Sequence, residues 1–497
     1  MTYLSLPADT NQARGIAEYA IDFVAGKFDP PGEAALAQVE RFHLDSVGCA
    51  LAALGIGANA PTVLREEALT YHLPHGVAGA YCFSSELPVA AEKAVVANCA
   101  AVRELDANGT NFGYNPELNA TAGEFGHNDF YPVAVAAAQQ AGVDGATLLR
   151  AMLCLDEIRG RLAEVFSLKS YKIDHVVHGA IASAAVYGAL RGASVAQIES
   201  AIGMVVAHYI PFRAIRHGEQ LSDSKGASAA ISAEVAVLSM QRALRGFVGP
   251  ADIFRNHEAI FCLFEKPKQL YASPFDLRLT TSGDDFAVQG MHFKLGLYEH
   301  QSAGAIQGLL DLLHNCPGIL KEPSELERVR ITIYEPAFSI IGDPAKRDPR
   351  TRQSADHSMV YIIATLLRKA YEHQEAGWIE SMLLPADYDD DALRHPLTRQ
   401  LMDRIEFAHG GRKYDALYPD GIPTSLELEH KRLGKFSSGL VMYPAGHARC
   451  DYLDWQPILD EKFRRLARIG GADADEVRER MTPLAEKSSD EVRQLYR

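Results

Sequence analysis

Residues 33–54 read EAALAQVERFHLDSVGCALAAL, and this stretch decides the fold class of the chain. Its apolar residues recur at the spacing of a helix, and small residues occupy several helix faces. Because small side chains let a helix pack closely on more than one side, the pattern predicts a large bundle of buried helices. Runs of the same kind begin at Pro88, Gly145, Gly179, Val195 and Ala227.

The pattern changes near residue 288. ERVRITIYE from Glu327 and SLELEH from Ser425 alternate as strands do, and helical stretches such as MVYIIATLL from Met359 lie between them. After Tyr452 the chain becomes helical again. At 497 residues it exceeds what one hydrophobic core usually supports. We therefore expect a mostly α protein with a large all-helical domain, residues 1–287 and 451–497, and a smaller α+β domain, residues 288–450.

Composition and charge exclude several classes of protein. The formal net charge of −15 argues against nucleic acid as a partner, because neutralising phosphates requires an extended basic face. The sequence has no run of 18 or more apolar residues, so we expect no membrane span. The first ten residues, MTYLSLPADT, lack a basic segment followed by an apolar one, and we expect a cytoplasmic protein.

The cysteines indicate neither a disulfide framework nor a metal cluster. Seven are scattered along the chain without a Cys-x-x-Cys pair, and several lie inside apolar stretches. They are typical of reduced core residues rather than of zinc or iron–sulfur ligands. The seven are Cys49, Cys82, Cys99, Cys154, Cys262, Cys316 and Cys450.

Residues 213–225, RAIRHGEQLSDSK, concentrate cationic side chains in an acidic chain. Arg213 and Arg216 are three residues apart and would share a helix face, with His217 beside them. The segment that leads into Lys225 indicates a helix start, whose free N–H groups and positive dipole end favour an anion. One interpretation is a carboxylate or phosphate site, and the other is a solvated charged turn before an Ala-rich helix.

A second group of polar residues follows the apolar helix that begins near Pro88. Asp106 and Thr110 are four residues apart at its end, and GHND follows at residues 126–129. These side chains are candidates for chemistry. An Asp or Thr in this position can equally cap or stop a helix.

Two further pairs stand at helix or domain boundaries. His175 and His178 precede an Ala-rich helix with a spacing that could bring two metal ligands together, although core or capping histidines show the same pattern. Lys294 and His300 stand at the start of the expected α+β domain. A Lys and a His at such a junction are candidates for a site, or ordinary surface residues.

The order of these motifs carries a resemblance to a known family. Together they resemble the MmgE/PrpD family, and within it the 2-methylcitrate dehydratase branch, from about residue 15 to about residue 468. In chain order the motifs are LDANGT at 105–110, Gly126–His127, Asp174–His175, RAIRH at 213–217, Lys225, GDPAKRD at 342–348 and YPAGHAR at 443–449.

The resemblance implies a fold and a site. Family members have a large all-helical domain, a smaller α+β lid and a homodimeric assembly, with the pocket between helical domain and lid. They act on di- and tricarboxylates by abstracting a proton next to a carboxylate, without a metal or organic cofactor. The positions that match the family's site residues are Asp106, Thr110, His127, His175, Lys225, Lys294 and His300.

We therefore expect a cofactor-free hydro-lyase that dehydrates 2-methylcitrate or a closely related tricarboxylate. In this hypothesis Arg213, Arg216 and Lys225 hold carboxylates, with His217 beside them. His127, oriented by Asp106, acts as general base, and His175 protonates the departing hydroxyl. The acid and base assignments could be exchanged.

Two alternatives remain at the level of the sequence. A decarboxylase or epimerase of a related polycarboxylate such as cis-aconitate would use the same type of carbanion-like intermediate. A non-catalytic carboxylate-binding protein is the other alternative. The chain also departs from the dehydratase pattern, because residues 111–123 lengthen the stretch between Asp106 and His127, and GHND stands where Gly-His-Pro is usual.

Overall fold

The computed structural model describes residues 2–74, 76–110, 128–216, 220–341 and 344–497. Helices make up more than half of these residues, so the prediction of a mostly α protein is confirmed. The α-helices are α1 Gln12–Val24, α2 Glu33–Gly55, α3 Asn59–Thr70, α4 Ala91–Arg103, α5 Tyr131–Ala141, α6 Gly145–Val165, α7 Val176–Leu190, α8 Val195–His208, α9 Asp223–Leu244, α10 Ile260–Phe264, α11 Ala303–Asn315, α12 Ala337–Ile341, α13 Arg352–Ala355, α14 Met359–His373, α15 Asp390–Leu393, α16 Pro396–Met402, α17 Arg412–Asp415, α18 Gln456–Ile469, α19 Ala474–Met481 and α20 Ser489–Gln494. The strands are β1 Tyr3–Leu6, β2 Ala80–Tyr81, β3 Pro88–Val89, β4 Leu277–Thr280, β5 Leu326–Ile333, β6 Ile405–His409, β7 Thr424–His430 and β8 Gly434–Ser437.

All six Ala-rich stretches singled out from the sequence form helices, namely α2, α4, α6, α7, α8 and α9. Nearly every residue of α7 is buried, and α9 packs against α4, α7 and α8. Burying each Val, Leu or Ile side chain stabilises the fold by roughly 1.5–3 kcal/mol. The small residues let these helices approach one another on several sides, as the sequence pattern predicts.

The approach of α9 to α4 brings two polar segments together. A Cβ atom added at Gly226, in the first turn of α9, would lie 2.8 Å from the Oε2 atom of Glu104, just beyond the end of α4. Because a side chain at position 226 would meet this carboxylate, glycine allows the close contact. The first turn of α9 therefore lies beside the residues that follow α4.

The C-terminal part of the chain packs against α2. A Cβ atom at Gly55 would lie 2.3 Å from the backbone oxygen of Ile469, at the end of α18. The buried Lys462 of α18 places its Nζ atom 2.7 Å from the Oδ1 atom of Asp45 on α2. The same Nζ atom donates to the backbone oxygen of Lys294 at 2.7 Å, so α18 also fixes a segment that contains a predicted site residue.

Four strands form the largest sheet in the described residues, in the order β6, β5, β7, β8. β5 pairs with β6 in parallel and with β7 in an antiparallel register, and β7 pairs with β8. The strands predicted from Glu327 and Ser425 are therefore confirmed as β5 and β7, and the helix predicted from Met359 is confirmed as α14. α11 packs on β7, and α14 contacts α11.

No single helix in the described ranges is long and apolar enough to cross a membrane. Helices α2 and α3 pass the same test of length and composition only as a pair, and they are bent by 90° at the break between them.

The cysteines occupy packed positions. Cys49, Cys82, Cys99, Cys154 and Cys262 are buried, and the other two are partly buried. All seven are free thiols. Burial raises the pKa of the Cys49 and Cys82 thiols to about 12, so both remain protonated near neutral pH.

Candidate active site

A cavity opens where the end of α4, the start of α9 and the segments 294–301 and 346–357 converge. Its volume is about 720 Å³, including the part that is open to solvent. The structure brings eight of the ten residues that the sequence predicts for the site to its wall: Asp106, Thr110, His175, Arg213, Arg216, Lys225, Lys294 and His300. The other two, His127 and His217, lie outside the described residues.

Asp106 is the electrostatic centre of this cavity. The chain adopts a positive φ of 49° at Asp106, which turns the backbone sharply just beyond α4. Its Oδ1 atom lies 2.7 Å from the Nζ atom of Lys294 and also contacts Arg103. Its Oδ2 atom lies 2.9 Å from the Nε2 atom of His357 and 3.8 Å from the Nζ atom of Lys225. Burial by itself would raise the pKa of Asp106, but Arg103 and the two lysines outweigh it and hold the pKa well below its usual value.

Two lysines share this carboxylate and are almost fully buried. Lys225 lies in the first turn of α9 and is 2% exposed. Burial lowers the pKa of Lys225 to about 7, although Asp106 opposes the shift. The pKa of Lys294 is also lowered by burial, again against Asp106. Near neutral pH, Lys225 is therefore able to lose or gain a proton.

Arg216 and His175 line the cavity and form a second cluster with Asp174, which lies behind the wall. Arg213 and Arg216 lie in one 3-10 helix, Arg213–Arg216, where residues three apart align, and both line the cavity as their spacing predicts. The Nη2 atom of Arg216 lies 3.2 Å from the Oδ1 atom of Asp174 and 3.2 Å from the Nε2 atom of His175.

The protonation states in this second cluster differ. Burial by itself would raise the pKa of Asp174, but Arg216 and His175 lower it below its usual value. Burial lowers the pKa of His175 well below its usual value, so its ring is neutral near pH 7. A neutral ring favours a proton acceptor over the acid role that the sequence-based hypothesis gave to His175.

The second histidine of the His-x-x-His pair points elsewhere. The Nε2 atom of His178 hydrogen-bonds to the backbone oxygen of Phe166 at 2.9 Å, and His178 does not line the cavity. Burial lowers its pKa to about 4, which keeps the ring neutral as a core residue. His178 is therefore a core histidine, and of the two histidines only His175 lines the cavity as a candidate site residue.

Some buried polar atoms of residues on the cavity wall have no hydrogen-bond partner in the described part of the chain. They include the Oγ1 atom of Thr110 and the Nε2 atoms of His300 and Gln301. Thr110 is held by two backbone hydrogen bonds with His292, of 2.9 and 2.8 Å. Buried polar groups are normally satisfied, so these atoms indicate a place for a polar ligand.

Five polar or charged residues of the cavity wall were not among the predicted site residues: Arg103, Glu299, Gln301, Lys346 and His357. His357 is the most informative, because its Nε2 atom contacts Asp106 and its Nδ1 atom lies 2.5 Å from the Oδ1 atom of Asp356. A signal for it exists in the sequence. Asp356–His357 stands one residue before an apolar helix, α14, much as Asp174–His175 stands immediately before α7.

Arg352 holds the His357 segment against the end of α4. Its guanidinium pairs with the Glu104 carboxylate and donates to the backbone oxygen of Glu104 at 2.9 Å. It also donates to the Oδ2 atom of Asp356 at 3.2 Å. One arginine thus fixes the backbone next to Asp106 and the carboxylate next to His357, which sets the distance between the two segments.

One group of described residues has the spacing of a metal site. Ligand atoms of Asp106, Asp356 and His357 lie within 4.8 Å of one another. The Asp106 carboxylate, however, already pairs with Lys294 and Arg103 and faces Lys225. A divalent cation would be repelled by these positive charges. The donor set therefore does not fit a metal well, and cofactor-free chemistry stays a prediction.

Comparisons with known proteins agree with the resemblance seen in the sequence. The chain is 24% identical to 2-methylcitrate dehydratase from Salmonella typhimurium over 340 residues, which cover 67% of this chain and 66% of that protein. It is 25% identical to the 2-methylcitrate dehydratase of Escherichia coli K12 over 337 residues, 65% of this chain and 63% of that protein. A probable 2-methylcitrate dehydratase from Saccharomyces cerevisiae is 24% identical over 328 residues, 65% of this chain and 60% of that protein.

The chain thus spans slightly less than two thirds of the length of these curated relatives. The model of the MmgE/PrpD N-terminal domain matches residues 14–271, and the model of the C-terminal domain matches residues 298–486. The described residues of the cavity wall fall within the matched regions, except for Lys294, which lies between the two. On these matches, which together extend over most of its length, the chain belongs to the MmgE/PrpD family.

Proposed function

We propose that this protein is a hydro-lyase that removes water from 2-methylcitrate or a closely related tricarboxylate, without a metal or organic cofactor. The charge of the cavity carries the proposal. Among its described lining residues are six lysines or arginines and only two carboxylates, in a chain whose net charge is −15. A small molecule with three carboxylates would complement this local excess of positive charge.

The arginines are suited to hold carboxylates. A guanidinium presents a planar set of donors that matches a carboxylate, and Arg213 and Arg216 line the same wall. Asp174 and His175 fix the Arg216 side chain through its Nε and Nη2 atoms. A pre-positioned cation loses less conformational freedom when the substrate binds.

Lys225 is the base that the described residues support best. Removing a proton next to a carboxylate requires a group whose pKa is close to the working pH. The amine of Lys225 meets this condition because burial lowers its pKa to about 7, and it lines the cavity. The lysines and arginines around it would stabilise the negative charge that develops on the substrate carboxylate as the proton leaves.

The remaining step is loss of the hydroxyl group. Lys225 takes the C–H proton, the C–O bond breaks, and the hydroxyl leaves as water with a second proton, which gives an unsaturated tricarboxylate. Because the ring of His175 is neutral, we assign this second proton to His127. This differs from the sequence-based hypothesis, in which His127 and His175 were the base and the acid, in either order. Thr110 supplies a buried hydroxyl near the reacting groups.

The cavity also supports a division of the chain into two units. Its wall combines residues 103–225 with residues 294–357. We therefore propose that residues 288–450 form an α+β lid over an all-helical domain built from residues 1–287 and 451–497. Closure of such a lid would exclude water from the substrate.

Mixing the purified protein with 2-methylcitrate, citrate and cis-aconitate tests the proposed reaction. Ultraviolet absorbance follows the conjugated acid, and CO2 release is recorded in parallel. We expect absorbance to rise with 2-methylcitrate or citrate and no CO2 to appear from cis-aconitate. Release of CO2 would indicate a decarboxylase, and binding without turnover would indicate a carboxylate-binding protein.

A further inference from the structure

His357 occupies a position that the proposed reaction does not use. It lies between α13 and α14, its side chain is 17% exposed, and it lines the cavity. Its Nδ1 atom lies 2.5 Å from Asp356 Oδ1, and its Nε2 atom lies 2.9 Å from Asp106 Oδ2. Carboxylates accept hydrogen bonds, so two of them are satisfied only when both ring nitrogens carry a proton.

Lys225 contacts the same ring nitrogen, Nδ1, that faces Asp356. The Nζ atom of Lys225 forms a hydrogen bond of 3.2 Å with the Nδ1 atom of His357. An ammonium group donates only and needs an unprotonated Nδ1 as acceptor, whereas a protonated Nδ1 has one N–H, which Asp356 and a neutral amine would share as acceptors. The lysine and the ring therefore cannot both be fully protonated and keep this contact.

We propose that Lys225 and His357 share one proton, so that the histidine acts through the lysine to keep its amine neutral in the ligand-free site. When the proton resides on the ring, both ring nitrogens donate, and the positive ring next to Lys225 disfavours a second charge on the amine. Asp356, held by Arg352, fixes the ring in the orientation that receives the proton. His357 is thus a positioning residue for the proposed base.

Charged groups from every neighbouring segment act on this pair. Asp106 faces both members, at 2.9 Å from His357 Nε2 and 3.8 Å from Lys225 Nζ. The others are Arg103 and Glu104 at the end of α4, Arg216, Lys294, Glu299, Lys346, Arg352 and Asp356. These groups do not change between wild type and a Lys225 variant, so a comparison of the two isolates the lysine.

Histidine-selective 13C and 15N NMR of the ligand-free full-length protein measures the pairing without any turnover. The His357 signal is assigned by its loss in His357→Gln, or in His357→Asn if the first variant does not fold. We expect the midpoint of the His357 titration to lie higher in Lys225→Met than in wild type, by about one pH unit or more, because the competing positive charge is gone. Lys225→Gln serves as the second variant.

Lys294→Met is the matched control. Lys294 is also a buried lysine paired with Asp106, with Nζ 2.7 Å from Oδ1, but its side-chain hydrogen bonds go to Asp106 and not to His357. It should move the His357 midpoint less than Lys225→Met does. Equal midpoints in wild type and Lys225→Met, or equal shifts in the two lysine variants, would overturn the shared proton.

The rate provides a second readout, which rests on the proposed function. In His357→Gln the acid limb of kcat/KM against pH should move upward by about one unit, because Lys225 no longer sits beside a positive ring. A loss of rate with an unmoved limb would assign His357 a structural role only and overturn the proposal. If no tricarboxylate is turned over, the proposed function fails, while the NMR titration still decides the pairing.

Discussion

Replacing Asp106 with Asn tests the electrostatic argument most directly, because this carboxylate faces both lysines of the cavity. The substitution keeps the shape of the side chain and removes its charge. Lys225 Nζ lies 3.8 Å from the carboxylate. At an effective dielectric constant of 20, such a pair is worth roughly 4 kcal/mol, which corresponds to roughly three pKa units.

The sign of the expected change follows from the charges. Asp106 raises the pKa of Lys225 against the effect of burial. Without it the pKa of Lys225 falls below about 7, so the amine becomes neutral at lower pH and is a weaker base. We expect the acid limb of kcat/KM against pH to move downward by about one to three units, and kcat to fall roughly tenfold or more.

The variant should also be less stable than the wild type. Asp106 is buried and pairs with Lys294 and Arg103, and removing one partner of a buried ion pair costs roughly 3–5 kcal/mol. Asp45→Asn is the matched control, since Asp45 is equally buried and pairs with Lys462 at 2.7 Å but does not line the cavity. It should lower the unfolding temperature and leave the acid limb in place.

Steady-state kinetics between pH 5 and 9, with thermal unfolding measured on the same samples, give both quantities. An acid limb that stays in place in a folded Asp106→Asn variant would refute the role of Asp106 in tuning Lys225. A limb that moves upward would refute the sign of the argument. A limb that also moves in Asp45→Asn would show that the shift reflects general destabilisation.

Three further predictions concern the base, the acid and the cofactor. Lys225→Ala should reduce kcat/KM by roughly thirtyfold or more, and near wild-type kinetics in a folded variant would place this lysine outside the reaction. His127→Gln should reduce kcat by about 100-fold or more while KM changes far less, and a variant that loses binding but turns over normally at saturation would reassign the second proton, with His175 the next candidate. Activity should survive prolonged dialysis against a strong chelator, and loss of activity that iron or zinc restores would end the cofactor-free mechanism.

The sequence predicts the helical part of the fold well because its signal is local. The stretch from Glu33 becomes α2 and the stretch from Met359 becomes α14, since apolar periodicity and small residues act within single helices. The strands β6 and β8 were not predicted. β8 is short and mostly exposed, and its pairing with β7 depends on a turn rather than on an apolar pattern of its own.

The residues of the cavity were predictable only where a motif marked them. Eight of the ten predicted positions reach one wall, whereas His357 was missed although an Asp–His pair precedes its helix. His357 contacts Asp106, just beyond α4, and Lys225 of α9, and both lie more than a hundred residues away in the sequence. No local pattern encodes such distances, because they depend on how the helices pack. His127 and His217 lie outside the described residues, and their roles stay predictions.

The electrostatics of the ligand-free cavity connect binding to catalysis. Asp106 is the carboxylate that Arg103, Lys225 and Lys294 share before substrate arrives. When a tricarboxylate enters, its charges compete with Asp106 for these cations and raise the pKa of Lys225, which favours the ammonium form. A base at this position must therefore have a route for giving up its proton inside the occupied site. The ring of His357, at 3.2 Å from Lys225 and between two carboxylates, is the nearest group in the described part of the chain that can accept it.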